Sequence, residues 1–475
     1  MPIQVILGPA LYVRGLAPRD LERLRKRLTF APRVRPGTPS HVPRPKPLCL
    51  VSDGPEGFVA LPRSLGLLGE WRDDNIVIHD QQEPVQASSR TRVILPLDPR
   101  RCQDQAVREC EAALRSSPFG GGGVLSLPTG WGKTLCALTV GCRIQAKRIL
   151  ILVHTRVLAD QWMDRVRTLV EGSVPVFLEP GTPFDGDQEC THVVALMQTI
   201  LARARNQQQG MTTLGHDMVI VDETHHLCAR TLSQTLDIVG ARYRLGLSAT
   251  PERQDGLHTM LEHLLGPMVF RCERTDPPPV HVRVLSSAWN DLPCNPFSPA
   301  VTALAADPSR QTLLATAIGM LHREGRHIVV MSDRIDQLRD LETRLAPLPT
   351  VYAIGGSRGS PDLENRPIVL ATFAYSAEGL DLPLLNTCVL ATPRLDVKQC
   401  VGRVLRQPDQ PALIVDVDDP AFHRQFLVRR RFYTRDATKG GLSATVSSFQ
   451  FQPNPKLANS ADTNEPATVS QTMST

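Results

Sequence analysis

Aromatic residues are scarce in this chain, and it has no long apolar run. Its 475 residues include only 4 Trp, 5 Tyr and 13 Phe. The longest purely aliphatic run covers residues 149–153, whereas a membrane-spanning helix needs about 20 consecutive apolar residues. We therefore expect no membrane partner. The hydrophobic fraction of 41% and the charged fraction of 21% are those of a globular protein with room for several domains.

Cysteine pairs of the CxxC type and a secretory signal are also missing. The eleven cysteines are scattered, so neither a disulfide framework nor a zinc site is expected, and the thiols should be buried and reduced. The first apolar stretch follows no basic residue and precedes no small-residue cleavage site. We therefore expect an intracellular protein.

The chain has no strong excess of either charge, but its basic residues are unevenly distributed. The formal net charge is +5, yet residues 1–48 contain ten basic side chains and two acidic ones. The other residues therefore sum to −3. A second basic segment, residues 424–435, has five arginines and no acid. Both segments suit contacts with a polyanion, although a solvated charged surface explains them equally well.

Composition and periodicity predict four segments along the chain. Residues 1–94 form a small basic N-terminal module. Short β-branched runs alternate with helical stretches over residues 95–276 and again over 280–436, which is typical of parallel sheets covered by helices. A proline-rich break at residues 276–279 separates these two α/β domains. Residues 437–475 are rich in Ser, Thr, Asn and Gln and are predicted to be a disordered tail.

Nine strands of the two sheets are predicted from short β-branched runs, and the front module is expected to hold a helix at 18–28 and a hairpin at 49–68. The predicted strands cover residues 124–128, 148–154, 192–197, 218–223, 244–250, 327–333, 367–373, 387–393 and 412–418.

The sequence LPTGWGKT, residues 127–134, is the strongest local signal for chemistry. It follows a predicted strand and should open a helix, so its backbone N–H groups can surround phosphates. Lys133 would reach the β- and γ-phosphates, and Thr134 offers a hydroxyl to Mg²⁺. Leucine replaces the usual first glycine of this pattern, but Gly130 and Gly132 supply the tight turn.

The predicted strand at 218–223 ends in two adjacent carboxylates, in the sequence VIVDETHH. Beside a phosphate loop, Asp222 can hold Mg²⁺ and Glu223 can orient and deprotonate the attacking water. His225 and His226 lack cysteine or carboxylate neighbours at zinc-site spacing, so we assign His225 a coupling role rather than a metal.

Two later motifs are weak signals by themselves and become specific because they follow the phosphate loop and the Asp-Glu pair along the chain. Small hydroxyl residues, Ser248 and Thr250, end another predicted strand. The segment DVKQCVGRVLRQ places Gln399, Arg403 and Arg406 on one helix face, together with Gly402. Such arginines are either a solvated stripe or groups that stabilise a γ-phosphate during its transfer.

Taken in order, these motifs resemble motifs I, II, III and VI of the superfamily 2 helicases, over about residues 97–410. RRCQDQA at 100–106 resembles the adenine-side Q motif, with Gln103 as its glutamine. LVHTRVLADQW at 152–162 resembles motif Ia of the XPB/UvsW subgroup, and ATFAYSAEGLDLP at 371–383 resembles motif V.

The resemblance implies two tandem RecA-like domains that use ATP and Mg²⁺. The implied residues are Gln103, Thr129, Gly130, Gly132, Lys133 and Thr134 for ATP; Thr134 and Asp222 for Mg²⁺; Glu223, Gln399, Arg403 and Arg406 for hydrolysis; and His225, Ser248, Thr250, Gly379 and Asp381 for coupling.

Within this subgroup the chain is most similar to helicases of large DNA viruses, namely the poxvirus transcript-release DNA helicases and their iridovirus and asfarvirus relatives. The resemblance implies an ATP-dependent DNA helicase or translocase that moves 3′ to 5′ in viral transcription, with a viral RNA polymerase as partner. It would act in the host cytoplasm, in the virion or in the nucleus. Gln254 departs from the Arg-Glu-Asp element of the XPB family, so the DNA-opening role of that element is not carried over.

Three other functions fit the same motifs. They are an RNA helicase, a repair or recombination remodeller of the UvsW type, and a DNA-binding transcription factor that uses ATP as a clamp without unwinding. Because aromatic residues are few, contact with nucleic acid should depend on the phosphate backbone more than on base stacking.

Overall fold

A computed structural model divides the chain into two units, Met1–Glu273 and Arg274–Thr475, which we describe separately. It describes residues 3–33, 44–66, 76–80, 91–117, 119–128, 130–180, 192–206, 216–229, 231–249, 255–272, 279–290, 297–353, 366–378, 384–402, 404, 411–435, 441–449 and 471–472. Within these ranges no helix is both long and apolar enough to span a bilayer.

A parallel seven-stranded sheet, the first core sheet, forms the centre of the first unit. Ile149–Val153 is typical of its strands: all five residues are aliphatic and buried, as expected where helices cover both faces of a parallel sheet. In spatial order the strands are Pro175–Leu178, His192–Leu196, Ile149–Val153, His216–Val221, Ala241–Ser248, Gly121–Ser126 and Met268–Arg271.

Helices flank this sheet, and a separate hydrophobic core lies on each of its faces. The α-helices described in the first unit are Pro18–Arg27, Gln103–Leu114, Lys133–Arg143, Arg156–Leu169, Met197–Asn206, Thr235–Ile238 and Leu261–Leu264.

The strand Gly121–Ser126 begins earlier than its composition predicts. Glycine disfavours strands, and the sequence predicted a start at residue 124. In the structure the glycines belong to the strand because neighbouring segments approach it closely: a Cβ at Gly122 would collide with the backbone carbonyl of Leu265. Close packing replaces the usual contribution of β-branched side chains.

A five-stranded front sheet lies in the same unit. The predicted hairpin is present as Ser52–Asp53 paired antiparallel with Val59–Leu61, and the predicted helix is Pro18–Arg27. In spatial order the strands are Ser52–Asp53, Val59–Leu61, Leu11–Arg14, Ile3–Leu7 and Ile76–Asp80. Two short pairs accompany it: Thr29–Phe30 with Leu48–Cys49, and Arg92–Val93 with Val170–Glu171.

Two buried arginines join the front sheet to the core. Arg63 donates to the carbonyl oxygens of Gly8 at 2.6 Å and Phe119 at 2.8 Å. Arg244, on a core strand, donates to the carbonyl oxygen of Pro9. Burial lowers the pKa of both guanidinium groups, that of Arg244 to about 10. These contacts make the N-terminal segment an integral part of the first unit.

The second unit is built on another sheet, the second core sheet, which is parallel except at one edge. In spatial order its strands are Thr350–Ala353, Ile368–Thr372, Ile328–Ser332, Thr387–Leu390, Ala412–Asp418, Val280–Ser286, Thr445–Phe449 and the antiparallel Gln471–Thr472. Its described helices are Phe297–Ala306, Pro308–Arg323, Ile335–Leu345, Phe373–Glu378, Lys398–Gly402 and His423–Thr434.

Part of the segment predicted to be a disordered tail is a strand. Thr445–Phe449 pairs in parallel with Val280–Ser286. Its threonine, valine and phenylalanine favour a strand, and the pairing satisfies backbone groups of a strand that would otherwise be a sheet edge. Residues 450–470 lie outside the described ranges.

Candidate nucleotide site

Three neighbouring strands bring several of the predicted site residues to one edge of the first core sheet. His216–Val221, Ala241–Ser248 and Gly121–Ser126 lie side by side and run parallel. Asp222 follows the first strand, Ser248 is the fully buried last residue of the second, and the phosphate loop follows the third. Ligands of open α/β sheets bind at this carboxyl edge.

The phosphate loop has the backbone geometry of an anion site. Gly130 and Gly132 have φ angles of 80° and 82°, which only glycine adopts readily. Gly132 caps the helix Lys133–Arg143, whose first N–H groups have no partner within the helix. The Lys133 ammonium donates to the carbonyl oxygen of Leu127 at 3.4 Å, so it lies over the loop.

Two side chains hold the loop, one from the 3-10 turn Pro99–Arg101 and one from the first residue of the helix Gln103–Leu114; we call Arg101 and Gln103 the loop clamp. The buried Gln103 side chain donates from Nε2 to the carbonyl oxygen of Trp131 at 2.8 Å, and its Oε1 accepts from the Asp98 N–H at 2.7 Å. Arg101 donates to the carbonyl oxygen of Gly130 at 3.0 Å and pairs with Asp98 at 3.2 Å. Loop shape therefore depends on this clamp.

Asp222 is buried, and both of its carboxylate oxygens accept hydrogen bonds. Oδ2 accepts from the indole Nε1 of Trp162 at 2.9 Å, and Oδ1 accepts from the Glu223 N–H at 2.9 Å. Burial, and then the charge of Glu223, raises the pKa of Asp222, while the Lys133 ammonium and the two hydrogen bonds oppose that rise. Lys133 and Asp222 are therefore close enough to interact electrostatically and belong to the same site.

Glu223 leads from the strand into a stack of histidines. Its φ of 48° is left-handed, a strained conformation for a residue with a side chain. Its carboxylate lies 3.4 Å from Nδ1 of His225. The His225 and His226 ring centroids are 4.3 Å apart, and His226 stacks on His154 at 3.6 Å. His154 follows another strand, so the stack links two of the sequence motifs.

Comparison with known proteins identifies this arrangement. A family model described as the res subunit of type III restriction enzymes matches residues 96–253. A protein of Acanthamoeba polyphaga mimivirus, named as an ATP-dependent RNA helicase, is 27% identical over 412 residues, which are 80% of this chain and 75% of the relative. The DNA 3′-5′ translocase XPB2 of Sulfurisphaera tokodaii is 34% identical over 149 residues, which are 31% of each chain. The matched region, residues 96–253, is a helicase domain of superfamily 2.

Solved structures support the predicted fold of this helicase. The ATP-dependent Type ISP restriction-modification enzyme LlaBIII, bound to DNA, aligns with a TM-score of 0.51 at 14% identity, covering 75% of this chain and 31% of that one. At this identity the similarity shows the fold alone. It confirms the prediction of RecA-like parallel-sheet domains.

Several predicted residues of the helicase lie outside the described ranges, and their roles stay predictions. Gln399 belongs to the helix Lys398–Gly402, but nothing is described of its side chain. The predicted residues outside the described ranges are Thr129, Thr250, Gly379, Asp381, Arg403 and Arg406.

The second basic segment was expected to present five arginines to a polyanion, and this is wrong for Arg429. Its side chain is 2% exposed and donates from Nε and Nη2 to the Asp416 carboxylate at 2.8 and 2.9 Å. Arg424, Arg430 and Arg431 on the same helix are exposed. Spacing on the helix separates the one structural arginine from its solvated neighbours.

Sequence reasoning missed Trp162 and His154. Both lie in the segment LVHTRVLADQW, whose resemblance to motif Ia was the available signal. The partner of Trp162 depends on how the helix Arg156–Leu169 packs against the sheet, which periodicity does not specify. For His226 the sequence raises only the question of a metal site, whereas the structure places it in the ring stack.

Proposed function

We propose that this helicase is an ATP-driven motor on DNA in which Lys133, Thr134, Asp222 and Glu223 bind and hydrolyse ATP with Mg²⁺. The observation that carries the proposal is that neighbouring parallel strands bring the phosphate loop, with Lys133 over it, and the buried Asp222 to the same end of the first core sheet. A phosphate-binding cation and a carboxylate suited to Mg²⁺ therefore share one sheet edge.

The residues fit both the nucleotide and the ion. Backbone N–H groups at the start of the helix Lys133–Arg143 and the Lys133 ammonium suit the charge of the phosphates. Thr134 and Asp222 supply hydroxyl and carboxylate oxygens, the ligands that Mg²⁺ prefers, and the bound ion would neutralise phosphate charge.

Hydrolysis needs a base near the attacking water, and Glu223 suits this role. Its carboxylate would orient the water and accept its proton. His225, at 3.4 Å, is positioned to hydrogen-bond that carboxylate. A movement of His225 during hydrolysis would be transmitted through the stacked His226 ring to the segment that contains His154.

DNA is the proposed track, with 3′-to-5′ movement. The Sulfurisphaera tokodaii relative is named a DNA 3′-5′ translocase, and LlaBIII was solved with DNA. RNA is the second candidate, because the mimivirus relative is named an RNA helicase and matches 80% of the chain.

Two basic segments would hold the nucleic-acid backbone. The N-terminal arm is attached to the first unit where the Arg33 N–H donates to the Asp255 carbonyl oxygen at 2.8 Å, just after the segment that contains Thr250. The Arg33 side chain is exposed. Exposed arginines on the helix His423–Thr434 form the second segment. Binding should weaken steeply as salt rises.

A role in transcription in a large DNA virus, with a viral RNA polymerase as partner, is the further part of this proposal. Its support is the similarity to viral helicases such as that of mimivirus. A UvsW-type remodeller and an ATP-gated transcription factor that does not unwind are the alternatives.

One set of assays tests the motor. ATPase and strand displacement are measured for the wild type and Lys133→Ala with single-stranded DNA, duplex DNA and RNA. We expect DNA to stimulate hydrolysis in the wild type only. Stimulation by RNA alone would favour the second candidate, hydrolysis on duplex DNA without displacement would favour the clamp, and equal ATPase with and without nucleic acid would remove the coupling.

A further inference from the structure

Cys102 and Cys272 place two sulfur atoms together beside the nucleotide site. Their Sγ atoms are 3.1 Å apart. Cys102 directly precedes the helix Gln103–Leu114 and has a left-handed φ of 54°. Cys272 follows the edge strand Met268–Arg271. Both residues are half-buried thiols, so a small oxidant can reach them.

Other cysteines of the first unit differ from this pair. Cys110 and Cys136 are buried, and burial raises the pKa of each thiol to about 12, which keeps them protonated at neutral pH. Cys142 is half-buried, and its Sγ lies 3.9 Å from Oγ1 of Thr91 rather than against a second sulfur. The expectation of buried thiols is therefore wrong for Cys49, which is exposed, and for Cys102, Cys142 and Cys272, which are half-buried.

We propose that Cys102 and Cys272 are a modification site for peroxides, which join them in a reversible disulfide that weakens ATP binding. Peroxide oxidises one thiol to a sulfenic acid and releases water. The second thiol then attacks that sulfur and displaces another water. Two thiols and one hydrogen peroxide thus give one disulfide and two waters, and a dithiol reverses the reaction by exchange.

The effect on ATP follows from the loop clamp and rests on the proposed function. Cys102 lies between Arg101 and Gln103, which hold the carbonyl groups of the phosphate loop. The Cys272 N–H donates to the Ser126 carbonyl oxygen at 3.0 Å, so that residue is fixed to the sheet. A disulfide requires the sulfurs to approach by about 1 Å. Cys102 must therefore move, and both clamp contacts move with it.

Peptide mapping of the full chain tests bond formation directly. The protein is treated with hydrogen peroxide, remaining thiols are alkylated, and trypsin is added. Cleavage after arginine releases Cys102 in CQDQAVR and Cys272 in CER, each with a single cysteine. We expect these two peptides to be joined in the wild type and in Cys142→Ser, the matched control, and separate in Cys272→Ser.

Binding of a fluorescent ATP analogue gives the second readout. Oxidation should weaken binding about five- to tenfold, the effect of losing a hydrogen bond or two, and dithiothreitol should restore it. Cys272→Ser should bind equally before and after peroxide. Absence of the joined peptides, or a disulfide that leaves affinity unchanged, would overturn the proposal. If the reduced wild type binds no ATP, the proposed function fails instead, while the peptide map still reports on the disulfide.

Discussion

Among single residues, Trp162 has a direct contact with the acidic group proposed to bind Mg²⁺. A buried carboxylate tends to gain a proton, which would remove its value as a metal ligand. The indole N–H, at 2.9 Å from Oδ2, favours the ionised form and sets the direction of the carboxylate.

We expect Trp162→Phe to reduce kcat by about tenfold and to raise the Mg²⁺ concentration needed, because a hydrogen bond to a charged group contributes about 1.5–3 kcal/mol. Loss of the donor raises the pKa of Asp222 further, so the acid limb of the kcat profile should move to higher pH. The measurement is ATPase against pH and Mg²⁺. Trp289→Phe, which alters a ring stacked on Phe422 in the second unit, is the control. An unchanged pH profile would contradict this role.

Gln103 is a second residue whose effect can be isolated. We expect Gln103→Ala to raise the KM for ATP about tenfold with a smaller change in kcat, because a buried hydrogen bond to the loop is lost. Gln105→Ala is the matched control, since the exposed Gln105 side chain donates to Glu109 on the same helix and not to the loop. Steady-state kinetics on both variants decides the matter; equal KM values would exclude the clamp.

At the scale of elements, the strands were largely predictable and their ends were not. Strands such as Ile149–Val153 can be predicted from the sequence, because a strand that is buried on both faces of a sheet is aliphatic along its whole length. The early start of Gly121–Ser126 was missed because it depends on what packs against glycine, which no local pattern contains. The same holds for the site: the motifs predicted Lys133 and Asp222, whereas the contact of Trp162 depends on helix packing.

The close packing of Gly122 in the strand Gly121–Ser126 leads to a prediction about stability. Gly122→Val should lower the free energy of unfolding by about 2–3 kcal/mol or prevent folding, since the added atoms meet the Leu265 carbonyl. A Cβ at Gly319, in the helix Pro308–Arg323, would have no atom within 4 Å. Gly319→Ala should therefore raise the free energy of unfolding by about 0.5–1 kcal/mol. Urea unfolding followed by circular dichroism measures both. Equal effects would show that close packing at Gly122 is not needed.

The helix His423–Thr434 carries arginines with two different functions. Arg429→Ala should destabilise the second unit by about 3–5 kcal/mol, because it leaves the buried Asp416 carboxylate without its cation. Arg430→Ala should change the free energy of unfolding by no more than about 0.5 kcal/mol. It should also lower the slope of log binding constant against log salt concentration for DNA by about one. Thermal unfolding and salt titrations separate them. A stable Arg429→Ala protein would contradict the structural role.

For the whole molecule, the distribution of charge matters more than its sum. Residues 1–48 carry ten basic side chains and two acidic ones, and this excess belongs to a segment fixed to the first unit by buried arginines. The exposed arginines of the second unit lie in the other half of the chain. A polyanion bound to both basic segments would therefore contact both units. The first unit carries the nucleotide residues, and the second carries the predicted Arg403 and Arg406.

This gives the prediction that tests the molecule as a motor. If Arg406 stabilises the γ-phosphate only when nucleic acid engages both units, Arg406→Ala should lower DNA-stimulated kcat by about 10³ with little change in nucleotide affinity. Arg339→Ala is the control, because its exposed pair with Asp336 at 3.1 Å lies on a helix of the same unit. ATPase with and without DNA, and analogue binding, are measured for both. Stimulated turnover that survives in Arg406→Ala would mean that ATP hydrolysis depends on the first unit alone and that the second unit only holds DNA.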